Sequence, residues 1–91
     1  MASNHRTAAF TVFQERISPV FDVAQTALVV EVGAAGIVSR RLIDLGGLTL
    51  ETRLDRLRAC GVEELICGAM SRPAFALASG SLSSVHAFVA G

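Results

Sequence analysis

The sequence predicts a single soluble α/β domain built on a mixed five-stranded sheet. Two features of the 91-residue chain carry this prediction. Short apolar runs of strand length recur along the chain, and from Leu50 onward they alternate with stretches whose apolar residues follow three- and four-residue spacings. A chain that begins with strands and continues with alternating helices and strands typically builds a sheet with right-handed crossover units.

The first half of the chain predicts a central strand and a hairpin. Residues 8–13 (AAFTVF) form a short, apolar, β-prone run that ends in a polar stretch. Residues 27–32 and 37–43 are separated by the glycine-containing loop 33–36, which predicts an antiparallel hairpin. The charged side chains within 37–43 are typical of an edge strand, where they discourage edge-to-edge association.

The second half predicts two helices and two further strands. Leu50 and the leucines four and seven residues after it follow one helix face, with Arg53 on the opposite, exposed face. Ser71 is a natural N-cap, and Pro73 near the first helical position costs the helix nothing. The predicted elements are helix 49–60, strand 62–67, helix 73–79 and strand 85–89.

Connected in this order, the elements correspond to a ribonuclease H-like sheet with strand order 3-2-1-4-5. Strand 8–13 is then central and parallel to strand 62–67, so the loops that leave these strands open at the same sheet edge. Because no helix follows the last predicted strand, one sheet face is expected to be thinly covered unless a partner covers it. The domain is assigned to residues 8–91, and residues 1–7 are expected to form a disordered tail.

Composition excludes several classes of protein. Apolar residues make up 52% of the chain and charged residues 18%, which excludes a disordered chain. The net charge is zero, so no basic field attracts nucleic acid. No apolar run approaches the roughly 20 residues that a membrane-spanning helix needs, and no signal-like segment stands at the N-terminus. A cytoplasmic location without membrane contact is therefore expected.

Catalytic motifs are absent from the sequence. A ribonuclease H-type nuclease needs carboxylates on its central strand to hold metal ions, and AAFTVF contains none. The sequence also has no GxSxG, P-loop or HExxH motif. We therefore expect that the chain is not an enzyme.

Two segments resemble one known family. Residues 13–24 (FQERISPVFDVA) are similar to the "RISPVFD-A" loop of the dinitrogenase iron-molybdenum cofactor biosynthesis family, and residues 65–73 (LICGAMSRP) to its "ICG-hydrophobic-SRP" turn. That family includes NifX-type carriers, the C-terminal domain of NifB-type proteins and many members outside nitrogen fixation. The resemblance implies a ribonuclease H-like fold and binding of an iron- or molybdenum-containing metal–sulfur cluster, or of its precursor.

The predicted site lies where these two segments meet, beyond the ends of the two central parallel strands. The N-terminus of helix 73–79 and the charges of Arg16 and Arg72 favour an anionic cluster there. Gly68 is expected to let backbone amides approach the ligand closely. The predicted cofactor-binding residues are Arg16, Ser18, Cys67, Gly68, Ser71 and Arg72, with Cys67 also a candidate metal ligand.

Each of these residues has a plain structural alternative. Arg16 and Arg72 are equally compatible with solvated side chains or structural ion pairs. For Ser18 a loop-shaping role is favoured, and for Cys67 a role as a small buried hydrophobe is favoured over a thiolate ligand with a lowered pKa. Asp22 is expected to cap the turn that follows it.

Two functions therefore stay open. The first is a carrier that exchanges a metal–sulfur cluster with a donor or recipient protein of cofactor assembly. The second is a protein-interaction module with an empty crevice, for which the low surface charge fits a partner surface or a homodimer contact.

Overall fold

The computed structural model describes residues 5–14 and 16–88. The elements are β1 (Arg6–Phe13), β2 (Arg16–Ile17), β3 (Thr26–Gly33), β4 (Gly36–Asp44), α1 (Leu50–Ala59), β5 (Glu64–Ile66), α2 (Arg72–Ser81) and β6 (Ser84–His86), with a 3₁₀ turn, Phe21–Val23, between β2 and β3. The mixed α/β architecture that the residue patterns predict is confirmed.

The six described strands form one mixed sheet in the order β4-β3-β1-β5-β6, with β2 paired beside the end of β1. β1 is antiparallel to β3 and parallel to β5, so the predicted adjacency and direction of the two central strands are confirmed. The sequence predicts five strands and misses β2. A two-residue strand is too short to produce an alternating pattern, and β2 forms because the chain folds back antiparallel onto the last two residues of β1.

The sheet begins earlier than the sequence predicts. Arg6 pairs with Val32 and Thr7 pairs with Glu31, so both residues belong to β1 rather than to the predicted tail 1–7. The antiparallel partner β3 is long enough to extend the ladder that far, which a local pattern cannot show. The rest of that predicted tail, except His5, lies outside the described residues, as does the end of the predicted strand 85–89.

Both helices begin at the residues that their capping signals indicate. The Thr49 Oγ1 accepts a hydrogen bond of 3.2 Å from the Thr52 N–H at the start of α1. The Ser71 Oγ accepts one of 3.2 Å from the Ala74 N–H at the start of α2, with Pro73 in the first turn. Side-chain oxygens that satisfy otherwise unpaired N–H groups stop each helix from fraying.

The hydrophobic core lies between both helices and one face of the sheet. It includes alternate residues of the central strands together with the inner faces of α1 and α2, namely Ala9, Ala27, Val29, Leu65, Cys67, Leu54, Leu57, Ala74 and Ala78. The side chains that alternate with these strand residues lie on the other sheet face. Neither helix covers that face, in agreement with the expected thin cover.

Arg53 lies inside the structure, and the prediction that it belongs to the exposed face of its helix is wrong. Its side chain is only 6% exposed. The guanidinium donates hydrogen bonds to the backbone carbonyls of Ala24 and Leu48. A buried arginine is tolerated when such carbonyls satisfy its donors, and here the chain segment before β3 supplies one of them.

In the described part of the chain, neither helix is long and apolar enough to span a membrane.

Candidate functional site

The two family-like segments meet, as the sheet topology predicts. Val20 and Ala69 form a parallel bridge. The Phe21 N–H donates to the Ala69 carbonyl at 2.8 Å, and the Ala69 N–H donates to the Pro19 carbonyl at 2.7 Å. These bonds join the segments directly, backbone to backbone. The two segments are therefore in direct backbone contact at the sheet edge where the cluster is expected.

Gly68 allows this close contact. A Cβ atom at Gly68 would lie under 3.0 Å from the carbonyl oxygens of Ser18 and Pro19, a distance that side-chain carbons do not tolerate. The role predicted for Gly68 toward a ligand stays a prediction, and the close approach that the structure shows is to the protein's own backbone. The glycine is needed for another part of the same chain, which fills the space where its side chain would be.

The N-terminus of α2 is in contact with an anionic side chain of the same chain, Asp22. The Ser71 N–H donates to Asp22 Oδ1 at 3.0 Å, and the Ser71 hydroxyl donates to Asp22 Oδ2 at 2.6 Å. Asp22 therefore does not cap the turn that follows it, as the sequence suggests, but fixes the cap of a helix 49 residues away along the chain. Asp22 takes the position at the helix end that an anionic ligand was expected to occupy.

The carboxyl group of Asp22 has a lowered pKa. Burial by itself raises this pKa, but the hydrogen bonds from the side chain and backbone of Ser71 and the nearby charge of Arg53 outweigh that effect. Asp22 is therefore ionised at neutral pH. As a carboxylate, it accepts both hydrogen bonds from Ser71.

Cys67 is fully buried in the core. Burial, followed by the charge of Asp22, raises the pKa of the Cys67 thiol to about 11, so the thiol stays protonated at neutral pH. This contradicts a thiolate ligand with a lowered pKa and agrees with the small buried hydrophobe. Within residues 5–14 and 16–88, no three His, Cys, Asp or Glu side chains converge to hold a metal ion.

Arg16 and Arg72 are exposed and do not line a common cavity. Neither side chain forms a hydrogen bond or an ion pair with another described residue. Arg72 borders a cleft of about 300 Å³, which is lined by Met70, Ser71, Arg72, Phe75, Ala76 and Phe88. Arg16 borders neither this cleft nor the larger cavity on the sheet. Arg16 and Arg72 therefore do not share either of these two cavities.

A cavity of about 950 Å³ lies on the uncovered face of the sheet, beside the chain segment that precedes β3. Its lining comprises Val12, Phe13, Gln14, Ser18, Pro19, Val20, Val23, Ala24, Gln25, Thr26, Leu28, Arg40 and Leu42. Much of the RISPVFD-A-like segment forms one wall of this cavity. Of the six predicted site residues, Ser18 alone belongs to this lining.

Arg40 is the one charged residue in the described lining of this cavity. Its side chain is exposed and forms no hydrogen bond or ion pair with the described residues. The remaining lining side chains are apolar or carry neutral hydroxyl and amide groups, so the cavity suits an anion with a weakly hydrated surface. From the sequence, Arg40 is predicted only as a charge on an edge strand, because the strand register alone shows which face it occupies.

Solved structures share this fold. They include the protein PH0822 (12% identity, TM-score 0.82, covering 93% of this chain and 80% of that chain) and a "putative dinitrogenase" from Methanocaldococcus jannaschii (18%, 0.74, 100% and 82%). A third is a "putative NifB protein" from Thermotoga (19%, 0.71, 94% and 78%). No family model and no curated protein matches the chain. At these identities the likeness shows a shared fold, and the printed names of the last two neighbours agree with the family that the two segments resemble.

Replacement of Gly68 by alanine tests the contact between the two segments. The added methyl group must displace the backbone of Ser18 and Pro19, so we expect the free energy of unfolding to fall by about 1–3 kcal/mol, measured by urea denaturation. Gly80→Ala is the matched control, because Gly80 lies within α2 and has no neighbour within 4 Å of the added atom. Equal stability of the Gly68→Ala variant and the parent would contradict this packing.

The Asp22 carboxylate makes the stability of the fold depend on pH. Since folding lowers the pKa of Asp22 below 3.8, the carboxylate stabilises the protein above that pH, and this contribution disappears as the pH falls through the lowered value. Asp22→Ala should therefore cost about 1 kcal/mol of unfolding free energy at pH 7 and progressively less in acid. Asp55→Ala serves as the comparison, because the Asp55 side chain is 73% exposed. A penalty for Asp22→Ala that is independent of pH would argue against the Asp22–Ser71 bonds.

The two thiols should differ in reactivity. Cys60 is partly exposed, whereas Cys67 is buried and protonated, so iodoacetamide should label Cys60 in the native protein and reach Cys67 only in denaturant. Mass spectrometry of digested protein gives the site of labelling. Labelling of native Cys67 that a metal–sulfur cargo then blocks would restore the ligand interpretation.

Proposed function

We propose that this protein is a small NifX-like accessory protein of dinitrogenase cofactor biosynthesis, and that it carries an anionic metal–sulfur cluster or precursor in the cavity on its sheet. The observation that carries the proposal is the position of this cavity. It lies against the family-like segment, and Arg40 supplies its charge. Its volume of about 950 Å³ is near the upper end of the range, roughly 300–1,000 Å³, that small-molecule sites occupy.

The chemistry of the lining fits such a cargo. Metal–sulfur clusters are anionic, and their sulfur atoms are large, polarisable and weakly hydrated. The Arg40 guanidinium is a planar donor that binds anions through charge-assisted hydrogen bonds. Ser18 and Thr26 add hydroxyl groups, and apolar residues such as Leu28 and Leu42 pack against the weakly hydrated surface.

This mode of binding suits transfer of the cargo to another protein. A cluster held by enclosure and hydrogen bonds leaves without the rupture of a metal–protein bond, so a recipient with cysteine or histidine ligands can take it. We propose a non-enzymatic role for the chain between a donor and a recipient of cofactor assembly. The sheet order and the position of the two segments support a ribonuclease H-like classification of the fold.

A protein-interaction module is the second candidate function. It is favoured by the cleft beside α2, where Phe75 and Phe88 are 45% and 72% exposed next to Arg72. Exposed aromatic and arginine side chains are common anchors of protein interfaces. In the carrier proposal the same cleft contacts the donor or the recipient.

Titration with tetrathiomolybdate under anaerobic conditions tests the carrier. The parent should bind this coloured anion with a change in its visible spectrum. Arg40→Ala should weaken binding roughly tenfold or more, since a charge-assisted contact contributes about 1.5–3 kcal/mol. Arg41→Ala is the matched control, because Arg41 follows on the same strand, points to the other face and is absent from the cavity lining.

Variants of Arg16 and Arg72 discriminate between the two site locations. If Arg16→Ala or Arg72→Ala weakens binding while Arg40→Ala does not, the edge between the two segments is the site and the sheet cavity is not. If the parent binds neither tetrathiomolybdate nor a cluster reconstituted from iron and sulfide, the carrier proposal is wrong and the interaction module replaces it.

A further inference from the structure

The outer edge of β4 offers unpaired backbone groups. β4 lies at one end of the strand order, and no described strand pairs with its outer side. The Leu45 N–H donates to the carbonyl of Gln25, the residue before β3. Because inward and outward groups alternate along an antiparallel strand, the N–H and C=O groups of Arg40, Leu42 and Asp44 point to the free edge. Such groups are a template for pairing with another strand.

The side chains of the same three residues follow one another along the uncovered face of the sheet. The strand register places Arg40, Leu42 and Asp44 there, and all three are exposed, Leu42 at 66%. Neither Arg40 nor Asp44 has an ion-pair partner in the described part of the chain. The Asp44 carboxylate accepts one hydrogen bond of 2.8 Å, from the Gly46 N–H. Along the free edge the row is therefore cationic, apolar and anionic in turn.

We propose that two copies of this chain pair antiparallel through their β4 edges, about a two-fold axis that passes beside Leu42 and is perpendicular to the sheet. In this register Leu42 lies opposite Leu42 of the second copy, and Arg40 lies opposite Asp44 of the second copy. The symmetry produces this ion pair twice, once on each side of the central leucines. The outward backbone groups of the two copies then meet each other, so the two sheets continue as one.

Charge selects this register over its neighbours. A two-fold axis at Arg40 or at Arg41 places two guanidinium groups directly opposite each other, which is destabilising. An axis at Ile43 brings no opposite charges together. An axis nearer the start of β4 meets the irregular pairing around Val38, which bends the edge. The charges of β4 are predicted to discourage edge-to-edge association, and the register about Leu42 is the one in which they favour it.

Arg56 already contacts this edge, since its guanidinium donates to the Asp44 carbonyl at 2.9 Å. The Arg56 side chain is exposed, so it can leave this carbonyl to the Arg40 N–H of the second copy. The proposed contact consists of a short backbone ladder and two exposed ion pairs. The dimer should therefore be weak, and salt should weaken it further by screening the ion pairs.

The inference does not rest on the proposed cargo. The two-fold axis keeps the uncovered faces of both copies on one side of the joined sheet. Because Arg40 and Leu42 line the large cavity, the cavities of the two copies would open side by side. An anion in the cavity would compete with Asp44 of the second copy for the Arg40 guanidinium.

Charge reversal and mixing test the inference on the full chain without cargo. Sedimentation equilibrium from micromolar to millimolar concentration should show reversible dimerisation of the parent. Arg40→Glu and Asp44→Arg should each weaken it by roughly tenfold or more, because each homodimer then contains two like-charge contacts. An equimolar mixture of the two variants should regain dimers, since both contacts between the two different chains again join opposite charges.

A proline at the centre of the contact tests the edge itself. Leu42→Pro removes an N–H that points away from β3, which an edge strand tolerates, but it breaks the middle of the proposed ladder. Leu42→Ala is the comparison, because it shortens the side chain and keeps the N–H. The proline variant should dimerise roughly tenfold or more weakly than the alanine variant, since it loses the central backbone bonds.

Arg41→Glu has the same net charge as Arg40→Glu but changes the other face of β4, so it should dimerise like the parent. Circular dichroism shows whether each variant is folded. A parent that stays monomeric at millimolar concentration, or a mixture that regains no dimer, overturns the inference. Equal losses in Arg41→Glu and Arg40→Glu, or equal association of the two Leu42 variants, would also overturn it, because the contact would then depend on neither the ion pair nor the strand edge.

Discussion

The backbone contact between Pro19–Phe21 and Gly68–Ala69 is the constraint on which the functional end of this molecule depends. It exists because Gly68 has no side chain, so that two chain segments nearly 50 residues apart approach to hydrogen-bonding distance. The contact brings Asp22 next to Ser71, and the Asp22 carboxylate then fixes the N-cap of α2. It also closes the gap at the sheet edge, where open α/β folds usually bind their ligands.

The larger of the two described cavities lies on another surface, the uncovered face of the sheet. The segment that pairs with Gly68 and Ala69 also continues toward β3, and there it forms one wall of the large cavity on the uncovered sheet face. Arg53 supports this segment from the inside through its hydrogen bond to the Ala24 carbonyl. The family-like residues therefore position a wall of the cavity through their backbone. Arg40 comes from a different element, the edge strand β4, and supplies the charge.

The uncovered sheet face is the surface on which the proposed cargo binds. Because both helices pack on the same side, the other face keeps the apolar row of Leu42, Leu28, Phe10 and Ile66 without helical cover. An anion bound in the cavity would reduce the exposure of this surface. Arg40 would contact such an anion from within the cavity.

The sequence by itself determined the features that depend on neighbouring residues. Apolar runs placed most strands, Thr49 and Ser71 marked where the helices begin, and the order of elements was enough to bring the two family-like segments together. Only the tertiary structure decided what those segments do. Whether Gly68 faces a ligand or a backbone, and whether Arg53 is exposed, depends on contacts between residues that are distant in the chain. The face that Arg40 occupies depends on strand register, where a shift of one residue reverses every side chain.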